Sequence, residues 1–248
     1  MPAPRRVIGV FELGLPPPEL ARRFPGYAQM IIDWLQPALP EVEYRIVATE
    51  RGAALPAAAE FDGLIYSGSR HGVYDDVPWI GPLMRLIREL TANSKPQFGI
   101  CFGHQILAEA LGGAAHKAAL GWSCGVQDYH LNERIEDGQR LRVLVMHQDQ
   151  VLELPPGARL LGSSPTCPLG VIEHAPTVRS VQFHPEFSAD FVASLLEAYG
   201  GSVIPAAVAE RAAASLTDDL DRARVARWTA TFFRRHFRNA DEAPHRTT

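Results

Sequence analysis

A strand that runs into a helix through one cysteine constrains this chain most. The segment Lys95-Pro96-Gln97-Phe98-Gly99-Ile100-Cys101-Phe102-Gly103-His104-Gln105-Ile106-Leu107-Ala108-Glu109-Ala110-Leu111 is apolar up to Ile100, then takes a helical pattern at once. No loop separates the two, so the turn between them must be sharp. Gly99 and Gly103 flank the cysteine symmetrically, and a tight turn of this kind needs small neighbours. A side chain at such a turn projects from the end of the sheet, at a helix N-terminus where the dipole favours negative charge. Cys101 therefore reads as a candidate nucleophile. The same position also suits a buried core cysteine, the common fate of a free thiol.

A second segment narrows the choice. In Ser180-Val181-Gln182-Phe183-His184-Pro185-Glu186-Phe187, residues two apart in extended chain share a face. His184 and Glu186 therefore stand side by side. A thiol nucleophile needs a base to take its proton and return it to the leaving group, and the base needs a carboxylate to fix its tautomer. Cys101, His184 and Glu186 supply those three parts.

Together, G-I-C-F-G-H-Q and Q-F-H-P-E resemble the motifs of the class I, triad-type glutamine amidotransferases, and are similar to the glutaminase domain of GMP synthases. The resemblance spans about residues 7 to 190. It implies that Cys101 is the nucleophile, His184 the general base and acid, and Glu186 the residue that orients the histidine. It implies that Gln105 holds the α-amino acid end of the substrate. The family's oxyanion loop corresponds to Ser67-Gly68-Ser69-Arg70, after the apolar strand Gly63-Leu64-Ile65-Tyr66. Many members have S-G-G-P there. Backbone N–H groups of Gly68, Ser69 and Phe102 would face the oxyanion. The polar stretch His147-Gln148-Asp149 is expected to line the glutamine pocket. Gly121-Trp122 resembles a segment that carries a pocket aromatic, although core packing explains it equally well. His71-Gly72-Val73-Tyr74-Asp75-Asp76 reads as a lid or as a solvated loop.

Strands are expected near 6–11, 43–48, 61–66 and 96–100, and helices near 26–38, 79–93 and 103–112. That alternation predicts an α/β fold with a mostly parallel sheet flanked by helices. The resemblance makes it flavodoxin-like. Segments 114–130, 139–147, 158–163, 168–174 and 178–184 read as consecutive strands, an antiparallel extension. Helical patterns follow near 189–199, 205–215 and 218–238. In the last, Val225, Trp228, Phe232 and Phe233 form an amphipathic stripe. The expected organisation is an amidotransferase-like domain over 1–190 and a C-terminal helical extension over 191–248, packed on it. Residues Asn239 to Thr248 are expected to fray.

Composition excludes several classes. A net charge of −4 gives no reason to expect nucleic acid or an anionic membrane surface, and the cluster Arg234, Arg235, His236 and Arg238 reads as a solvated end that complements a helix C-terminus. The apolar run Val7 to Phe11 is too short for a signal peptide, and no run approaches the roughly 20 residues of a membrane span. Three cysteines, at 101, 124 and 167, form no pairing framework. They suit a reducing cytoplasm. Cys124, His116 and His130 lack metal-ligand spacing, so neither a metal nor another cofactor is expected.

The roughly 60 residues after His184 are too few for a nucleotide-binding synthase domain, and no G-x-x-x-x-G-K loop is present. Three functions remain. The first is a hydrolase that releases ammonia from glutamine for a separate synthase. The second is a γ-glutamyl hydrolase or peptidase acting on a related small molecule. The third is a catalytically silent regulatory protein. The first two share one chemistry: a γ-glutamyl thioester on Cys101, resolved by water.

Overall fold

The computed structural model describes residues 5–136 and 138–242. Continuous apolar runs become buried strands. β1 (Val7–Phe11), β3 (Gly63–Tyr66) and β4 (Gln97–Ile100) lie in parallel in the middle of a nine-stranded sheet. β2 (Glu43–Val47) pairs in parallel with the outer side of β1 and forms one edge. All four residues of β3 and of β4 are buried, as expected for strands covered on both faces.

Beyond residue 112 the strands are β5 (Ala114–Lys117), β6 (Ser123–Ile135), β7 (Gly138–His147), β8 (Asp149–Glu153), β9 (Arg159–Ser164), β10 (Cys167–Ala175) and β11 (Val178–Val181). The order across the large sheet is β2-β1-β3-β4-β11-β10-β9-β6-β7. β11 pairs in parallel with β4, and from there outward every pairing is antiparallel. Residues 178–184, read in sequence with the antiparallel run, therefore supply the fifth parallel strand at the centre. The segment 114–130 divides into β5 and β6 at a turn where Gly121 adopts φ 74°. The stretch after His147 is a strand, not a loop: β8 pairs with β5 in a separate two-stranded antiparallel sheet.

Among the described residues six helices flank the sheet: α1 (Tyr27–Leu35), α2 (Ile80–Ala92), α3 (Phe102–Ala110), α4 (Ala189–Tyr199), α5 (Ala206–Ser215) and α6 (Arg222–Glu242). Strand alternation assigns them to faces. Ile8, Val10, Ile65, Phe98 and Ile100 point to the side covered by α1 and α6. Phe11, Leu64 and Tyr66 point to the opposite side, where they meet α2 and α3. In α2, Ile80, Leu83, Ile87 and Leu90 recur at helical spacing and are buried. In α6, Val225, Phe232 and Phe233 are buried in the first of these cores, with Trp228 partly so. Ser188 caps α4, its hydroxyl accepting from Phe191 N at 3.1 Å. α6 continues through Glu242 rather than fraying from Asn239; residues 243–248, like residues 1–4, lie outside those described.

Three neighbouring parallel strands, β3, β4 and β11, release the chain at the same end of the sheet. Their next residues are Ser67-Gly68-Ser69, Cys101 and Gln182-Phe183-His184. Open α/β sheets place their sites outside these carboxyl ends.

Candidate active site

Cys101 has φ 54° and ψ −104°, a conformation that an L-residue with a side chain adopts at a cost. The surroundings impose it. Cys101 N donates to Val181 O at 2.9 Å, tying the turn to β11, and His104 N and Gln105 N donate back to Cys101 O at 3.0 and 3.1 Å. Gly103 N donates to Ser67 O at 3.1 Å, which brings the start of α3 against the loop after β3. A side chain at Gly99 would strike the Gly103 backbone, and one at Gly103 would strike Tyr66 O. The two glycines are thus steric requirements of the elbow.

The loop after β3 is held by Ser67, whose hydroxyl accepts from Leu13 N at 2.9 Å and donates to Gly68 O at 2.9 Å. A Cβ placed on Gly68 would lie 3.0 Å from His184 Cε1 and 3.8 Å from Cys101 Cβ, so the loop, the thiol and the imidazole meet at one point. Among the described residues, the amides of Gly68 and Ser69 have no backbone acceptor. The Phe102 amide, first in α3, has no intrahelical acceptor. Gly68 and Ser69 line the cavity that also holds Cys101, and Phe102 follows Cys101 directly at the start of α3.

His184 is buried, and its Nδ1 lies 2.8 Å from Glu186 Oε1. Its main chain is pinned by His184 N donating to Leu144 O at 2.8 Å. Phe187 stacks on the imidazole, ring centroids 3.9 Å apart. Burial works against a charged ring, but the Glu186 carboxylate, then the Cys101 sulfur, outweigh it and raise the His184 pKa to about 10. Glu186 leaves the other ring nitrogen, Nε2, over, and the Cys101 sulfur lies 4.0 Å from Met146 O. Glu186 Oε2 is buried without a hydrogen-bond partner, and the guanidinium of Arg222 closes the turn from behind. Its Nε donates to Pro185 O and its Nη2 to Glu186 O, each at 3.0 Å.

A cavity of about 540 Å³ opens over this point. Gly68, Ser69, Cys101, Gln105, His147, Gln148, Asp149 and His184 all line it, so the structure brings together nearly every residue singled out in the sequence. Phe102 and Glu186 lie behind that wall and are not part of the lining. Gln105 Nε2 donates to Asp149 O at 2.9 Å and to Gln182 Oε1 at 3.2 Å. His147 Nδ1 faces Asp149 O at 3.1 Å, and burial, aided by the charge of His184, drives its pKa down to about 3. Asp149 is engaged differently from a loop residue. It begins β8, and its Oδ2 accepts from Tyr74 Oη at 2.8 Å. Tyr74 in turn stacks on His116, centroids 5.6 Å apart, so the segment 71–75 reaches across the cavity mouth. Trp122 also lines the cavity.

Sequence reasoning missed Tyr27, Lys117, Phe187, Leu195 and Tyr199 on the wall, and Arg222 behind it. Lys117 was hidden in a short strand whose pairing with β8 no local pattern discloses. Tyr27 and Leu195 fall within the helical patterns near 26–38 and 189–199, where their residue types suit a core. Among the described residues no group of three or more His, Cys, Asp or Glu could hold a metal ion, and no helix is long and apolar enough to cross a membrane.

The family model of glutamine amidotransferase class-I matches residues 27–191. Gamma-glutamyl peptidase 3 of Arabidopsis thaliana is 32% identical over 148 residues, covering 56% of this chain and 59% of the peptidase. The chain thus spans less than two thirds of the length of that relative. A glutamine-hydrolyzing GMP synthase subunit of Thermococcus kodakarensis is 33% identical over 149 residues, covering 58% of this chain and 77% of that protein. In structure, a glutamine amidotransferase from Methylobacillus flagellatus superposes with a TM-score of 0.74 over 98% of each chain at 22% identity, a likeness of fold. The family match extends from α1 to the start of α4 and takes in the elbow, the oxyanion-type loop and the His184–Glu186 turn, so this chain belongs to the class I glutamine amidotransferases.

Proposed function

We propose that this chain hydrolyses γ-glutamyl amides through a thioester on Cys101. The observation that carries the reading is that Cys101, His184, Gly68 and Ser69 line one cavity, with Glu186 bonded to His184 from behind the wall. His184 Nε2 takes the thiol proton as the sulfur attacks the γ-carbonyl carbon. The carbonyl oxygen gains the charge, and the N–H groups of Phe102, Gly68 and Ser69 receive it. Collapse breaks the C–N bond, and His184 gives its proton to the departing nitrogen. A water then loses a proton to His184, attacks the thioester and releases glutamate, restoring the thiol. Glu186 holds the imidazole's orientation and stabilises its charged form.

The γ-glutamyl group brings an ammonium and a carboxylate at its other end. Gln105, Asp149 and Lys117 lie together on one side of the cavity, with Lys117 opposite Asp149 in the β5–β8 ladder. The Lys117 ammonium and the Asp149 carboxylate match that zwitterion, and Gln105 Oε1 is left to accept because its amide nitrogen is already engaged. His147 and Gln148 shape the adjoining wall. The names of the relatives support the chemistry and leave two fates for the nitrogen: ammonia passed to a separate synthase, or an amine set free. No cofactor enters the reaction. We assign residues 1–190 to the amidotransferase unit and 191–248 to an extension of it, on the ground that α6 shares the core beneath β1 and β4. Three free thiols suit a reducing, cytoplasmic setting.

Single-turnover acid trapping with glutamine and with a γ-glutamyl peptide tests this. Thioester is expected in the wild type and absent from Cys101→Ala. Glu186→Gln should retain it with a rate constant about 10 to 10³-fold lower. Thioester formed undiminished by Cys101→Ala overturns the mechanism.

A further inference from the structure

The proton returned by His184 fixes which way a substrate must lie. The leaving nitrogen takes that proton, so any group attached to it extends past the imidazole, away from Gln105, Asp149 and Lys117. On that side the cavity continues. Phe187 stacks on His184 at 3.9 Å, and Tyr27 tilts against Phe187 with centroids 5.6 Å apart. Leu195 and Tyr199 from α4, and Val203 just beyond it, complete an apolar wall. Ammonia has no use for such a wall. About 540 Å³ falls within the roughly 300–1,000 Å³ of sites that enclose ligands larger than one amino acid.

Arg70 stands at the edge of this arm. It follows Ser69 directly, so its position is set by the oxyanion-type loop. Its side chain is 77% exposed and held only loosely, Nη2 lying 3.9 Å from Glu50 Oε1. Arg70, Tyr27 and Tyr199 line the same cavity, and the Arg70 charge works against the burial that raises both phenol pKa values. A planar guanidinium beside aromatic rings is suited to a carboxylate carried on an apolar amine.

Resting on the γ-glutamyl hydrolase reading, the geometry points to a leaving-group subsite formed by Tyr27, Phe187, Leu195, Tyr199 and Arg70, which takes an amino acid with an apolar side chain and a free carboxylate. Substrates of this class are γ-glutamyl amino acids, or peptides beginning with that linkage. Glutamine occupies only the other half of the cavity.

Steady-state kinetics with three compounds separate the parts: γ-glutamyl-phenylalanine has ring and carboxylate, γ-glutamyl-phenethylamide has the ring alone, and glutamine has neither. For the wild type, kcat/KM should fall in that order. In Arg70→Gln the ratio of the first to the second should drop about tenfold to a hundredfold, the worth of a hydrogen bond to a charged group, and Arg70→Lys should recover part of it. Using a ratio removes any general disturbance of the loop. A preference for glutamine over both amides, or a ratio unmoved in Arg70→Gln, overturns the subsite while leaving the hydrolase reading intact. Turnover of none of the three, with no trapped thioester, overturns both.

Discussion

The imidazole of His184 lies flat on the ring of Phe187, with centroids 3.9 Å apart and planes within 4° of parallel. Phe187 is itself locked edge-on by Phe191 of α4 at 4.6 Å. The aromatic stack sets one face of the histidine, and Glu186 sets its edge. Replacement by Leu keeps the site apolar but removes the flat surface. Phe187→Leu should therefore lower kcat by about tenfold to a hundredfold, the scale of a misplacement near 1 Å. Phe187→Tyr, which keeps the ring, should stay close to wild type. Stopped-flow and steady-state measurements on the two variants give the comparison, and equal rates would show that the stack is ornamental.

Alkylation distinguishes the three thiols. Burial pushes the pKa of both Cys124 and Cys167 up to about 12, so each stays protonated near neutrality. Of the three, Cys101 lines the cavity and the other two do not. Brief treatment with iodoacetamide followed by peptide mapping should label Cys101 first. Equal labelling of all three thiols counts against its role as nucleophile.

Arg222 ties the last helix to the His184–Glu186 turn through two carbonyls, and Trp34 Nε1 fixes Arg222 in turn by donating to its carbonyl at 2.9 Å. Arg222→Met should leave two buried carbonyls without donors, a cost of about 1–3 kcal/mol each where no water replaces them. We expect a melting temperature lower by several degrees and a fall in kcat larger than any change in KM. Arg222→Lys should recover part of kcat. A loss in KM alone would place Arg222 outside the control of the turn.

Acid stability follows from the buried histidines. His104 Nδ1 and His174 Nε2 both contact Ser180 Oγ, at 2.7 and 2.6 Å. Burial drives the His174 pKa down to about 3 and that of His104 well below its ordinary value. Both rings are neutral when folded and charged when unfolded below about pH 6.5. Their stabilisation is therefore complete above that pH and lost as the pH falls toward 3. His184 works in the opposite sense: its contribution is present below about 6.5 and lost as the pH rises through about 10. Urea midpoints should decline on both sides of neutrality. His174→Gln should flatten the acid limb by up to about 1.4 kcal/mol per pH unit. An unchanged acid slope would show that His174 is not buried neutral.

The elbow and the His184–Glu186 pair were legible because each is local: sharp turns demand glycines at fixed offsets, and residues two apart on extended chain share a face. The parallel half of the sheet was legible for a similar reason, since its strands alternate with helices of clear period. What stayed hidden depends on long-range pairing. β8 looks polar at its start because Asp149 and Gln150 face the cavity and the core through partners in β5 and Thr166. Arg222 sits at the head of a helix whose apolar stripe dominates its pattern, and its contacts lie 36 and 37 residues away. The aromatic wall carries core residue types, and only the tertiary arrangement opens part of it to a cavity.

The position of β11 has a consequence for synthesis. Cys101 and its elbow emerge from the ribosome well before Val178–Val181, yet β11 fills the slot between β4 and β10 at the centre of the sheet. Until then β4 is a bare edge, with backbone groups open to pairing by another chain. His184, which follows β11 directly, can join Cys101 only once that strand is in its slot.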